Sequence, residues 1–486
     1  MFNINFRNKN LFKKNVHIHF IGIGGIGMSG IAEILLKLDY IVSGSDVYEN
    51  QNTLKLKELG AKIAIGHKEE NIEGATVVVF SSIIRECNPE VVAAKAKDIP
   101  IIQRAELLSE LMRLKFGLAV AGTHGKTTTT SFLATILNEA NLDATYIIGG
   151  IVDNLGGHAK VGNGEVLVAE VDESDGSFLL LNPIMSIINN IDDDHLDYYQ
   201  NNENLIQAFV DFANKVPFYG CVSLNIHDEI LSKIRDRIKR PHISFGIESM
   251  LKGKGKGKGK GKAENVTIPT YMAKNVQLTE NGSEYELYYK EEFATKINIF
   301  PMGTHNVLNS LGAISLAHQL GLTFDEIAEG ISKFKGVRRR LESLYKYNLI
   351  EIIDDYAHHP TAAVNSISAL RKTKEGKLVI IFEPHRYNRT FNCWKDFMHC
   401  FNEADELHIL PIYAASEDPI PGITSNRLVE DINKLHPGLA VYAESFAEID
   451  KLVQERIKKN EKTVFATLGA GAIGKNIRLL VKSLKA

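Results

Sequence analysis

The chain is poor in cysteine. Its 486 residues hold four, Cys87, Cys221, Cys393 and Cys400. None forms a C-x-x-C pair or stands at zinc-ligand spacing. That excludes a small disulfide-stapled fold and fits the incidental thiols of a cytosolic protein. Long apolar runs are also missing. None approaches the roughly 20 residues that span a bilayer. Arg7, Lys9, Lys13 and Lys14 precede an apolar stretch from Val16 and imitate a secretion signal. However, His17 and His19 interrupt it and regularly spaced glycines follow, so a buried strand entering a tight turn is expected. Nor does either charge dominate. Lys+Arg is 56 against Asp+Glu 59, a net of −3, with no overall pull toward nucleic acid or acidic membranes.

What remains is ordinary globular composition, 44% hydrophobic and 24% charged, which excludes extensive disorder and collagen-like repeats. The length suggests about three domains. One segment stands apart. Residues 252–262 read KGKGKGKGKGK, and removing those six positive charges takes the net from −3 to −9. The repeat has nothing apolar to bury and its glycines are costly to order, so a solvated loop is expected, with a polybasic site for nucleic acid or anionic lipid as the alternative. Its deletion should leave catalysis intact; a large loss of activity on assay would contradict this.

Strand and helix signals alternate. Val16–Ile21 is a short apolar run, and positions 28, 31, 34, 35 and 38 make a helical stripe. Further strands are expected at Ile41–Gly44, Thr76–Phe80, Leu118–Ala121, Val166–Glu170 and Ile184–Asn189. A third region from near Gly336 predicts strands at Ile350–Asp354, Leu378–Phe382, Leu407–Leu410 and Thr463–Ala466, with helices between. This alternation predicts an α/β fold of parallel sheets in three domains, 1–116, 117–335 and 336–486. The stretch around the Gly/Lys repeat reads as loops and short strands.

Four motif sets carry chemistry. Gly22-Ile-Gly24-Gly25-Ile-Gly27 follows a strand and opens a helix, and Asp46 comes 19 residues after Gly27. Such glycines let a diphosphate approach the helix N-terminus, and the aspartate can accept from a ribose. Gly122-Thr123-His124-Gly125-Lys126-Thr127 is a shortened P-loop, with Val120 where the full form has glycine. Its backbone amides wrap phosphates, Lys126 neutralises the β/γ oxygens, and the Thr127 hydroxyl can ligate Mg2+. Two acid runs, Glu170–Asp175 and Asp192–His195, begin at strand ends, where open α/β sheets place ligands and Mg2+ takes carboxylates. Asn306 and Asn309 share a helical face and either contact a ligand or cap the helix.

The last region holds Arg338-Arg339-Arg340, Asp354-Asp355-Tyr356-Ala357-His358-His359 and Pro384-His385-Arg386-Tyr387-Asn388-Arg389. Arginine and histidine after strand ends suit carboxylate or phosphate recognition. A second G-x-G-x-x-G, Gly469–Gly474, has no acidic residue at the right distance and reads as a packing turn.

Together, GIGGIGMSGIA, AGTHGKTTTT, AEVDESDGSF, NIDDDHLD, GTHNVLN, DDYAHHPT and EPHRYNRT occur in the order seen in the Mur ligases. The resemblance runs from about Val16 to Gly474. It implies three domains: an N-terminal Rossmann-like domain for a UDP-sugar, a central P-loop ATPase domain and a C-terminal Rossmann-like domain. The implied reaction is ATP-dependent joining of L-alanine to the carboxylate of UDP-N-acetylmuramate through an acyl phosphate, with a tripeptide in place of alanine as the alternative.

By this resemblance Gly22, Gly24, Gly25, Gly27, Asp46, Ser81 and Ser82 hold the UDP-sugar. Gly122 through Thr128, Asn306, Asn309, Arg340 and Asp355 hold ATP. Thr127, Glu170 and His195 hold Mg2+. Tyr356, His358, His385, Arg386 and Arg389 surround the amino acid and the muramoyl carboxylate. Lys126, Glu170, His195, Arg340 and His358 carry catalysis. The implied enzyme is cytoplasmic, a monomer or weak homodimer, without nucleic-acid or membrane partners. Ala357 and Ser416 stand where the family usually has glycine.

Overall fold

The computed structural model describes residues 16–81, 84–251, 268–415 and 417–485. Ser82, Ser416 and the Gly/Lys repeat lie outside the described residues. The chain forms two compact units. The first comprises 1–274, 286–295 and 308–334; the second comprises 275–285, 296–307 and 335–486.

The first unit opens with β1 (His17–Ile21), β2 (Ile41–Asp46), β3 (Lys62–Ile65), β4 (Val77–Phe80) and β5 (Ile101–Gln103). They form one sheet of order β3-β2-β1-β4-β5, and every pairing is parallel. Parallel neighbours need crossovers. Here α1 (Ile26–Lys37), α2 (Gln51–Glu58) and α3 (Pro89–Ala96) supply helical ones, and α4 (Arg104–Arg113) leads onward. The order reverses beside β1, so the crevice at the carboxyl ends of β1 and β4 is the natural ligand position.

A ten-stranded sheet follows. Its strands are β6 (Phe116–Ala121), β7 (Thr145–Val152), β8 (Gly157–Lys160), β9 (Val166–Glu170), β10 (Met185–Ile188), β11 (Cys221–Asn225), β12 (His242–Ile247), β13 (Tyr271–Thr279), β14 (Gly282–Tyr289) and β15 (Glu292–Ile299). The order is β15-β14-β13-β12-β11-β10-β6-β9-β7-β8. From β7 to β13 the sheet is parallel and its middle strands are apolar on both faces, as burial under helices requires. Helix α5 (Lys126–Glu139) follows β6 and buries Phe132, Leu133, Ile136 and Leu137.

The second unit carries β16 (Glu342–Tyr347), β17 (Ile350–Asp355), β18 (Lys377–Phe382), β19 (Glu406–Ile409), β20 (Ala440–Tyr442) and β21 (Thr463–Leu468) in order β16-β17-β21-β18-β19-β20. Two apolar clusters cover its faces. One includes Ile380, Phe382, Phe397 and Phe401; the other includes Ile352, Ile381, Phe465 and Ile477.

Two expectations need correction. The sheets are not wholly parallel, since β7 pairs β8 and β16 pairs β17 antiparallel. Both links are too short for a crossover helix, leaving only a hairpin. The stretch after the Gly/Lys repeat is not loops and short strands but three strands of nine, eight and eight residues. These strands are half-exposed and interrupted by charged residues, so they lack the continuous apolar run that marks a buried strand.

Candidate functional site

Strand β6 delivers Gly122–Thr127 to the carboxyl edge of the central sheet. Gly125 has φ +79, and a Cβ there would collide with Asn309 Oδ1. Only glycine suits both the left-handed turn and that approach. Asn309 thus packs against the phosphate loop. The loop is also braced from β10. The Thr123 amide donates to Asn190 O (3.2 Å), the His124 amide donates to Asn190 Oδ1 (2.7 Å), and the Asp192 amide donates to Thr123 Oγ1 (2.9 Å). His124 Nε2 lies 2.8 Å from Asp192 Oδ2. Thr127 and Thr128 are buried in the first turn of α5, whose leading amides have no intrahelical acceptor and suit phosphate.

Lys126 is largely buried. Its Nζ donates to Gly122 O (2.7 Å) and to Glu173 Oε1 and Oε2 (2.8 and 2.6 Å). Burial works against the ammonium, but Glu173, Asp172 and Glu170 outweigh it and raise its pKa. Burial pushes Glu173 up, and Lys126 pulls it back. Sequence reasoning took Glu170 from this acid run and passed over Glu173. The signal was present, because a lysine buried among phosphate ligands calls for a carboxylate.

Thr127 Oγ1 donates to Glu170 Oε1 (3.0 Å), and the Gly149 amide donates to Oε2 (2.6 Å). His195, at φ +60, lies 3.8 Å from Glu173 Oε1 and 3.6 Å from Asp194 Oδ2. The structure therefore brings Thr127 and Glu170 together, with His195 against the next acids along. A hydroxyl and a carboxylate converging beside a phosphate loop fit a Mg2+ that also binds phosphate.

In the first sheet, the Gly24 amide donates to Asp46 Oδ2 (2.8 Å), and Ser45 O accepts from the Gly22 and Ile23 amides (2.8 and 3.0 Å). Asp46 thus braces the glycine loop. Gly25 and Gly27 continue the turn into α1, and Ser81 ends β4 on the same edge of the sheet. Arg104, which sequence reasoning missed, reaches toward both motifs. A Cβ on Gly27 would lie 2.8 Å from its Nη1, and its Nη2 is 3.7 Å from Asp172 Oδ2.

In the second unit, Asp355 Oδ2 accepts from the Leu341 amide and Oδ1 from the Ala357 amide, both at 2.7 Å. Burial raises its pKa, and Arg340 opposes the rise. Arg339 and Arg340 stack over the Tyr356 ring at 5.0 and 5.3 Å. The backbone at Ala357 is not left-handed, and its methyl joins the apolar core, so alanine costs nothing there. Asn306 Nδ2 donates to Met302 O (2.8 Å).

His358 Nδ1 lies 2.8 Å from Tyr356 O. A carbonyl only accepts, so Nδ1 carries a proton. Its ring centroid is 5.8 Å from that of His385, which stacks on Tyr413 at 5.5 Å. His385 is lowered to about 4 by burial, with Arg389 and Arg386 adding to the shift. It is therefore neutral at pH 7, and Arg386 and Arg389 supply the positive charge of this corner. Arg386 Nε donates to Glu417 Oε1 (2.5 Å), and Arg389 Nη1 lies 3.4 Å from His385 Nδ1.

The second glycine motif is a packing turn, as its sequence suggested. The Glu383 carboxylate accepts from the Ile473 amide (3.1 Å) and is held by the Gly471 and Ala472 amides as well. A side chain already occupies the helix N-terminus where a phosphate would bind.

Three family models match in chain order: the Mur ligase family catalytic domain over 17–116, the Mur ligase middle domain over 120–317, and the Mur ligase glutamate ligase domain over 339–471. The chain is 41% identical to a UDP-N-acetylmuramate–L-alanine ligase of Syntrophus aciditrophicus, covering 96% of this chain and 94% of that protein. It is 43% identical to the ligase of the same name from Trichlorobacter lovleyi, covering 96% and 98%. A crystal structure of the UDP-N-acetylmuramate-alanine ligase of Thermotoga maritima matches with TM-score 0.79 at 29% identity, over 96% of this chain and 99% of that one. The chain belongs to the Mur ligase family.

Proposed function

We propose that this chain is an ATP-dependent amide ligase that joins L-alanine to UDP-N-acetylmuramate, giving UDP-N-acetylmuramoyl-L-alanine, ADP and phosphate for peptidoglycan synthesis. The observation that carries this reading is the Lys126, Thr127 and Glu170 cradle at the carboxyl edge of the central sheet, in a chain with full-length relatives of that name. Residues 1–116 hold the UDP-sugar, 117–335 hold ATP, and 336–486 complete the ATP and amino-acid sites.

A carboxylate is a poor electrophile, so the reaction begins by activating it. An oxygen of the muramoyl carboxylate attacks the γ-phosphorus. The bond to the bridging oxygen breaks and ADP leaves. Lys126 serves this step by exchanging its loop carbonyls for phosphate oxygens, where its charge offsets the charge that gathers. Thr127, Glu170 and His195 would hold a Mg2+, which would further neutralise the phosphate oxygens. Asn309 and the Thr123–Thr128 amides orient the nucleotide, and Arg340 and Asp355 are its further ligands.

The neutral alanine amine then attacks the acyl carbon. The tetrahedral intermediate collapses with loss of inorganic phosphate, and the amine gives up a proton. His358, whose Nδ1 faces Tyr356 O, and His195 are the candidates to take that proton. Tyr356, His385, Arg386 and Arg389 orient the carboxylates, with His385 as a neutral donor. We place the enzyme in the cytoplasm, where ATP is made, as a monomer or weak homodimer.

Phosphate release is the test. It should require UDP-N-acetylmuramate and an amino acid together, with alanine preferred over glycine, serine and the tripeptide. Release without the sugar nucleotide would overturn the reading. A preference for the tripeptide would convert it to a peptide ligase.

A further inference from the structure

The mechanism leaves one buried polar cluster of the first domain unused. Its centre is Glu90, whose side chain is fully buried at the start of α3. Oε2 lies 3.2 Å from His19 Nε2 and accepts from Ser45 Oγ (2.7 Å). Oε1 accepts from Asn71 Nδ2 (2.6 Å) and the Lys68 amide (3.2 Å), and lies 3.6 Å from His67 Nδ1. The chain continues outward. Ser43 Oγ lies 2.7 Å from both His19 Nδ1 and His17 Nε2, and Ser45 Oγ lies 2.9 Å from His67 Nδ1.

Burial works against the Glu90 carboxylate, yet hydrogen bonds from His19, Ser45 and Asn71 outweigh it and hold its pKa below the ordinary value. A charge sunk this deep is retained only where its bonds fix something. Glu90 ties together β1, β2, the turn after β3, and α3.

Ser45 is where this cluster meets the sugar-nucleotide site. Its side chain donates to Glu90, and its main-chain oxygen accepts from the Gly22 and Ile23 amides. The next residue, Asp46, holds the Gly24 amide. Three consecutive amides of the glycine loop therefore take their position from the end of β2. The loop in turn aims the first amides of α1, which have no intrahelical acceptor, at a diphosphate.

We propose that Glu90 is a positioning residue for the sugar nucleotide: through Ser45 it sets the glycine loop of the first domain. This rests on reading that domain as the UDP-sugar site. The test is steady-state kinetics of the full-length enzyme with Glu90→Ala, Glu90→Gln and Ser45→Ala, together with thermal melts. Glu90→Ala should raise KM for UDP-N-acetylmuramate about tenfold or more, the scale of a lost hydrogen bond to a charged group. KM for ATP should stay within about twofold. Glu90→Gln should recover part of the loss, because its amide oxygen still accepts from Ser45. If Glu90→Ala does not fold, Ser45→Ala removes the same bond alone and should still raise the sugar KM.

A folded Glu90→Ala or Ser45→Ala enzyme with an unchanged sugar KM would overturn the proposal, as would an equal rise for ATP. Asp46→Ala separates the two failures. If it raises the sugar KM and the others do not, only the role of Glu90 falls. If it too has no effect, the reading of the domain falls with it.

Discussion

Lys126→Ala is expected to lose ligase turnover by about a hundred- to a thousandfold or more, the scale set by removing one preorganised donor from developing charge. The lysine enters the phosphate loop between the carbonyl of Gly122 and the two oxygens of Glu173. The substitution therefore removes the positive charge from that position. It also strands Glu173, which is 1% exposed. A buried carboxylate without its partner costs about 3–5 kcal/mol when charged. The variant should therefore melt earlier as well as turn over slowly, and the two effects separate cleanly. Lys126→Met with Glu173→Gln removes both charges, so most of the lost melting temperature should return while activity stays absent. Phosphate release at saturating substrates and thermal denaturation are the readouts. Near-normal ligase activity in Lys126→Ala would sink the assignment.

The strands that read most clearly in the sequence are those buried on both faces. Val77–Phe80 and Val166–Ala169 are unbroken apolar runs, and their strands lie inside their sheets rather than at an edge. The half-exposed strands after the Gly/Lys repeat were not legible, because their charged residues break any apolar run. The site divides similarly. Lys126, Thr127 and Glu170 follow from a loop whose spacing dictates its chemistry. Glu173, Arg104 and Asn190 do not, because their roles come from packing between segments far apart in the chain. Glu90 is the extreme case. Its partners, from His19 to Asn71, become neighbours only when the first sheet closes, and one glutamate in a surface-like sequence carries no sign of that.

Stability should fall as the pH drops from neutral toward 4, and two histidines of the second unit should set part of that fall. Burial lowers His305 to about 4, with Arg340 adding to the shift. It does the same to His385, where Arg389 and Arg386 add theirs. An unfolded histidine titrates near 6.5. Above that pH both states are neutral, and these two residues give stability no slope. Below it the unfolded chain takes up protons that the folded chain refuses until about 4. Unfolding is then favoured with each step of acid. The loss is roughly 2–3 kcal/mol for His305, and less for His385, whose charge solvent partly screens. Asp355 and Glu383 act in the opposite sense, since burial raises both and their folded forms take up protons more readily. The comparison must therefore be made between proteins, not on one curve. Denaturant melts at pH 7 and pH 4.5 should show a smaller drop for His305→Asn and for His385→Gln than for the unaltered chain, whatever each substitution does at pH 7. Identical drops in all three proteins would mean that neither histidine is held neutral. The neutral-donor role of His385 would then give way to an ion pair with the substrate carboxylate.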